Sequence, residues 1–263
     1  MPRCDQVRSI VVDDGTEIAY HRWEPAPRAV AHPVPVVLHH GFSVNSVVEW
    51  ADSGVVAALT ADGRIVVAVD ARGHGRSGTS PDPGRYGERR MARDLRAVIA
   101  ALDVPRVDLV GYSMGAVVAL LAAAGELAVR RLVVGGVGAG VVEVGGVDTR
   151  VLPNGALADA LLADDPVGLP PEIAGLRGCA LAVGADLPSL AAQARSAHQD
   201  GVDLTAITAP ALVIAGDRDV LAARPQVLAD AIPGAGLRVI GGDHGTTLPS
   251  AEFRDALVTF LRG

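Results

Sequence analysis

An apolar run followed by a helical stretch and then by another apolar run constrains a chain more than any single motif does. The pattern recurs here: "PVPVVLHHG", "RIVVAVD", "RVDLVG", "RLVVGG", "APALVIAG" and "LRVIGG" are rich in Val, Leu, Ile and Ala. A strand with one wet face alternates polar and apolar residues, so these runs predict strands covered on both faces, as in a parallel sheet. Helical patterns lie between them, at "ERRMARDLRAVIAALD", "MGAVVALLAAAG", "ARPQVLADAI" and "SAEFRDALVTFLR". Two earlier segments, "VRSIVV" and "TEIAYHRW", flank "DDG" and predict an antiparallel hairpin with Gly15 in its turn. The expected fold is α/β, a mostly parallel eight-stranded sheet with helices on both faces and right-handed crossovers.

The rhythm breaks between residues 138 and 205, where "GALADALLADD", "PPEIAGLRGCALAV" and "LPSLAAQARSAHQDG" suggest three short helices. This predicts a core of residues 1–137 and 206–263 with a small helical insertion at 138–205. A chain of 263 residues can bury one substantial core. Aromatic residues make up only 3% of the chain, so that core must be aliphatic. No apolar run approaches the roughly 20 residues that span a bilayer, which argues against a membrane partner. The charged start, with Arg3, Asp5 and Arg8, does not resemble an export signal, so a cytoplasmic protein is expected. A net charge of −7 gives no basic face for nucleic acid. Cys4 and Cys179, far apart in the chain, predict neither a disulfide nor a zinc site.

Four features at strand ends have no packing explanation, and open α/β sheets bind ligands there. In "GYSMG", Ser113 stands between two glycines where a strand turns directly into a helix. Such a turn exposes a nucleophilic hydroxyl and aims the first N–H groups of the helix at its partner. In "HHGF", the backbone N–H of Phe42 is a candidate to join that of Met114 as a pair of oxyanion donors. "GDRD" offers Asp217 and Asp219 as the carboxylate that orients a histidine. Asp219 is preferred because its spacing from Gly216 lets the loop curl toward the site. "GDHG" supplies His244, downstream of both serine and acid.

These segments, with "DARGHGRS" from Asp70 to Ser77, occur in the order and spacing of the α/β-hydrolase superfamily, which the chain resembles over nearly its whole length. The likeness is greatest to cofactor-free esterases, haloperoxidase-like proteins and carbon-carbon hydrolases. It implies that Ser113, His244 and Asp219 are catalytic, that 138–205 is a cap, and that Asp70, Arg72 and His74 are architectural. Three positions depart from the family pattern. Ala116 replaces a glycine that often follows the elbow, which predicts a wider gap between helix and strand. Ala222 replaces a frequent proline, and Asp243 precedes His244 where a small residue is usual and can raise the histidine's pKa if it faces the ring.

The chemistry implied is acyl transfer to water, with no metal and no organic cofactor. A serine nucleophile argues against haloalkane dehalogenase and epoxide hydrolase chemistry, which in related families uses aspartate. Carbon-carbon hydrolysis, lyase or perhydrolase activity on the same residues, and a non-turnover ligand sensor, are the alternatives. The partner expected is a small, neutral, largely apolar substrate, and a homo-oligomer is compatible with the sequence. Its pocket is expected to draw on His40, Trp50, Val137, Leu157 and Leu161, with Trp50 either at the entrance or packed under a helix.

Overall fold

The computed structural model describes residues 6–125 and 128–263. The readings of Cys4, Arg3 and Asp5 lie outside the described residues. Strands β1 (Gln6–Val11) and β2 (Glu17–Trp23) form the antiparallel hairpin. They are followed by β3 (Val36–His39), β4 (Val66–Val69), β5 (Val107–Tyr112), β6 (Val129–Gly135), β7 (Ala211–Gly216) and β8 (Gly236–Ile240). The eight strands make one sheet in the order β1-β2-β4-β3-β5-β6-β7-β8, and β3 to β8 are all parallel. β3, β4 and β5 are buried along their whole length, which is why their sequences do not alternate.

Helices cover both faces. On one, α2 (Glu88–Ala101), α3 (Met114–Ala123) and α8 (Pro225–Ala231) bury an aliphatic layer that includes Met91, Leu95, Leu120 and Leu228. On the other, α1 (Val55–Ala61) and α9 (Ala251–Arg262) pack Leu59, Phe253 and Leu257 against the sheet. α3 lies innermost and is buried on every side, and its residues are accordingly apolar all round. Between β6 and β7 run α4 (Ala139–Glu143), α5 (Asn154–Leu162), α6 (Pro171–Ala182) and α7 (Leu187–Arg195). α5 to α7 share their own small core around Leu157, Leu161, Ile173 and Leu190. No helix among the described residues is long and apolar enough to cross a membrane.

Contact between α3 and the sheet is closer than any side chain permits. A Cβ on Gly115 would stand 2.0 Å from the carbonyl oxygen of His39, and one on Gly111 would stand 2.1 Å from that of Gly115. Ala116 does not open this gap as its sequence suggested: its Cα lies within 2.8 Å of the same Gly111 Cβ position. Gly115→Ala is therefore expected to destabilise the protein by about 3 kcal/mol or more, since neither backbone can yield. Gly178→Ala, in the middle of α6 with open space around it, is expected to stabilise by about 0.5–1 kcal/mol. Denaturant midpoints of the two variants against the parent protein check both signs.

Candidate active site

Ser113 joins β5 to α3 with φ 54° and ψ −120°, a conformation that non-glycine residues rarely adopt. The surroundings hold it there. Its N–H donates to Gly135 O at 2.8 Å, and its own carbonyl accepts from Ala116 N–H at 2.9 Å. The hydroxyl is thereby turned toward the loop that follows β8, where His244 Nε2 lies 3.0 Å from Ser113 Oγ. His244 Nδ1 is 2.9 and 3.1 Å from the two carboxylate oxygens of Asp219. A carboxylate only accepts, so Nδ1 carries the proton and Nε2 is left to accept from the serine hydroxyl.

Asp219 is buried, and its Oδ1 also accepts from the N–H groups of Leu221 at 3.0 Å and Ala222 at 3.2 Å. A proline at 222 has no such N–H, so the departure from the family pattern adds a donor. Asp217 serves elsewhere. Its Oδ1 accepts from Gly242 N–H at 2.9 Å, tying the loop after β7 to the one after β8. Asp243 is likewise occupied with its own turn, accepting from Gly245 N–H, Thr246 N–H and the Thr246 hydroxyl, and does not face the imidazole. Those Thr246 bonds hold its carboxyl below the usual range. Tyr112 fixes the histidine loop from below, its hydroxyl donating to His244 O at 2.8 Å and its ring lying 5.3 Å from the imidazole.

Two cavities meet at Ser113. One is bordered by Phe42, Met114, Leu152, Leu157, Leu176 and Leu221, with Glu88, Asn154 and Gln193 also on its wall. The other, larger one is bordered by Glu49, Tyr112, His244, Leu248 and Pro249, and shares Phe42 and Leu176 with the first. The N–H groups of Phe42 and Met114 donate to no acceptor among the described residues.

Of the other pocket residues expected from the sequence, Leu157 alone borders a cavity. His40 is sealed inside: its Nε2 accepts from Ala71 N–H at 2.9 Å, so its Nδ1 donates to Gly41 O at 2.7 Å. Trp50 packs under α1 and α9 in the core rather than at an entrance. Val137 belongs to the core on the α3 face, and Leu161 turns into the core shared by α5 to α7. His74 is structural. Its Nδ1 donates to Arg72 O at 3.1 Å, burial holds the ring neutral by pushing its pKa down to about 3, and it stands edge-on to the rings of His40 and Phe42.

Glu49 is the site residue that sequence reasoning missed. It comes from a single π-helical turn, Val47–Ala51, of a kind frequent at functional sites. Its Oε2 accepts from Gly41 N–H at 2.6 Å, directly before Phe42, and no cationic side chain pairs with it among the described residues. Burial pushes its carboxyl up to about 8, from an ordinary value of 4.5. The one signal in the sequence was an acid in an otherwise apolar "SVVEW" beside the HHGF strand end.

Residues 34–136 match the family model described as the alpha/beta hydrolase fold. The chain is 32% identical to the 2-hydroxymuconate semialdehyde hydrolase of Pseudomonas putida over 83% of each protein. It is also 32% identical to the 3-hydroxybutyrate-oligomer hydrolase of Cupriavidus necator over 139 residues, which is 52% of this chain but only 44% of that protein. Two further relatives are matched over about a quarter of their length. Among solved structures, the enol-lactonase of Burkholderia xenovorans superposes with a TM-score of 0.73 at 25% identity, covering 97% of this chain and all of that one. The chain belongs to the α/β-hydrolase family and is a hydrolase.

An uncharged Glu49 has a consequence for stability. Between about pH 4.5 and 8 the folded protein keeps a proton that the unfolded chain releases, so rising pH favours unfolding. Glu49→Gln retains the acceptor for Gly41 and removes that titration. Its stability relative to the parent is expected to rise with pH through this window, by up to about 1.4 kcal/mol per pH unit, as read from denaturant midpoints measured across it.

Proposed function

We propose that the protein is a serine hydrolase that cleaves an ester or related acyl bond of a small, largely apolar substrate through a Ser-His-Asp triad. The observation that carries this reading is the continuous run of hydrogen bonds from Ser113 Oγ through His244 to Asp219. Ser113 Oγ attacks the carbonyl carbon while its proton passes to His244 Nε2. Asp219 keeps the ring in the productive tautomer and stabilises the imidazolium. The free N–H groups of Phe42 and Met114 are assigned to the oxyanion, aided by the positive end of α3. His244 then returns the proton to the leaving oxygen, which departs as an alcohol. Water next gives a proton to His244 and attacks the acyl-enzyme, and His244 returns that proton to Ser113 Oγ as the acid is released.

Proton delivery by His244 puts the leaving group on its side of Ser113, in the larger cavity. That assigns the smaller, more apolar cavity to the acyl group. Residues 138–205 act as the cap, since α5 to α7 contribute Leu157, Leu176 and Gln193 to its wall. Neither cavity has an arginine on its wall, which favours a neutral substrate over an anionic one. Similarity to the 2-hydroxymuconate semialdehyde hydrolase supports a second reading, carbon-carbon bond hydrolysis by the same three residues. Assay of aryl esters beside vinylogous diketones separates the two.

Ser113→Ala is expected to lower turnover by on the order of 10⁴-fold or more with the fold intact. A serine-directed phosphonate should label Ser113 alone, as mapped by peptide mass spectrometry. Labelling at Ser43 or Ser77 would remove the elbow from the mechanism. Asp219→Asn should also cost on the order of 10⁴-fold, through the wrong imidazole tautomer. Asp217→Asn should leave the rate nearly unchanged and cost about 1 kcal/mol of loop stability. Steady-state kinetics on the two variants, with circular dichroism as the folding control, ranks them.

A further inference from the structure

The smaller cavity is not wholly apolar, and its polar groups are arranged unevenly. Gln193, on α7, is only 2% exposed. Its Nε2 donates to the sulfurs of Met114 and Met91. Thioether sulfur accepts and never donates, so the amide cannot be reversed without turning its oxygen onto two acceptors. That fixes Oε1 as the free end. It is buried and has no hydrogen-bond partner. Such a carbonyl is costly to leave unmatched, and natural interiors seldom do so. Glu88 and Asn154 lie on the same wall. Burial raises the Glu88 carboxyl, and its Oε2 accepts from His198 N–H at 2.6 Å.

We propose that Gln193 Oε1, with Glu88 and Asn154 beside it, is a polar subsite that accepts a hydrogen bond from a neutral donor on the acyl chain of the substrate, a hydroxyl or an amide N–H. The assignment of this cavity to the acyl group rests on the serine-hydrolase reading above. An acyl chain ending in a carboxylate is disfavoured, because it would bring negative charge against an amide oxygen with no cation on the cavity wall. A plain alkyl chain fills the cavity but leaves Oε1 unmatched. The donor-bearing chain satisfies it. Because the same glutamine braces Met114, a filled subsite also steadies the residue whose N–H is assigned to the oxyanion.

The test is a ratio. p-Nitrophenyl hexanoate is compared with its 2-, 3-, 4- and 5-hydroxy derivatives and with p-nitrophenyl esters of N-acetylglycine and N-acetyl-β-alanine, on the parent protein and on Gln193→Met. One donor position is expected to exceed hexanoate in kcat/KM by on the order of tenfold, the worth of one neutral hydrogen bond, and that preference should fall to about one in Gln193→Met. A hydroxyl source and an amide source are told apart by which ester series shows it. Absence of any preference in the parent protein, or its survival in Gln193→Met, overturns the subsite. Binding of the matching methyl esters to Ser113→Ala by calorimetry reads the same ratio without turnover. A binding preference with no hydrolysis by the parent protein would overturn the serine-hydrolase reading and keep the subsite, whereas hydrolysis without preference does the reverse.

Discussion

Everything at this site depends on how closely α3 approaches the sheet. Gly111 and Gly115 allow backbone to meet backbone where any side chain would intrude, with a Cβ on Gly115 only 2.0 Å from His39 O. The chain must then reverse within one residue, and Ser113 takes the unfavourable φ of 54° that this requires. Strain of this kind, on the order of 1–3 kcal/mol, persists only where the surroundings overdetermine it. Here they include a fully buried helix on one side and six parallel strands on the other. One compact turn thus presents a hydroxyl outward and leaves the Met114 N–H unpaired at the start of a helix.

Behind that turn lies a polar skeleton that holds the other rim of the cavities. Asp70 is nearly inaccessible, yet it accepts from His21, from Ser46 N–H at 2.9 Å and from Arg76 N–H at 3.0 Å. Against the penalty of burial, those bonds keep its carboxyl low. Arg72 forms a two-point pair with Asp94 at 2.6 and 2.8 Å, closing the same loop onto α2. His74 rises from this loop to meet Phe42, and His40 ties Gly41 to Ala71. Residue types that elsewhere do chemistry are here a scaffold. Their burial is the reason: a histidine kept neutral and bonded at both ring nitrogens, as His40 is, has no lone pair or proton left to offer.

What the sequence revealed follows from where the information lies. β3 to β7 were legible because burial writes a largely unbroken apolar run into each, the exposed hairpin because its segments flank a DDG turn, and α2 and α9 because one wet face writes a helical period. Ser113 was legible because it sits between two glycines where a strand turns into a helix, and His244 because it is the histidine at a late strand end downstream of serine and acid. The choice of Asp219 over Asp217 needed the loop's curl, which the structure resolves through hydrogen bonds to residues twenty-five positions away. α1 and the π-helical turn before it escaped notice because "SVVEWADSGVVAALTADG" breaks at Asp52-Ser53-Gly54 into pieces too short to show a period. The pocket walls were least legible of all. Leu157 and Leu161 are one turn apart on α5 and both belong to the inter-helix core, yet only the first also borders the cavity at Ser113. Only the packing of α5 against α6 and α7 separates them.

Asp219, Glu49 and Glu88 show how one chain gives the same functional group different tasks. Asp219 receives the imidazole N–H and two backbone N–H groups, a set of donors built by the tight curl between Gly216 and Ala222. Glu49 receives a single N–H from Gly41, and Glu88 accepts only from backbone, with His198 supplying the 2.6 Å contact. Too few donors and no cation reach either glutamate, so desolvation governs both and raises their pKa values. The difference matters to the proposed reaction, which builds negative charge on an oxygen beside Ser113. A second anion there would oppose that charge in a poorly solvated space, where Coulomb interactions are strong. Keeping Glu49 protonated lets it hold the loop carrying Phe42 without that penalty. In the proposed reaction this favours uncharged substrates, because neither cavity wall carries an arginine to meet an anion.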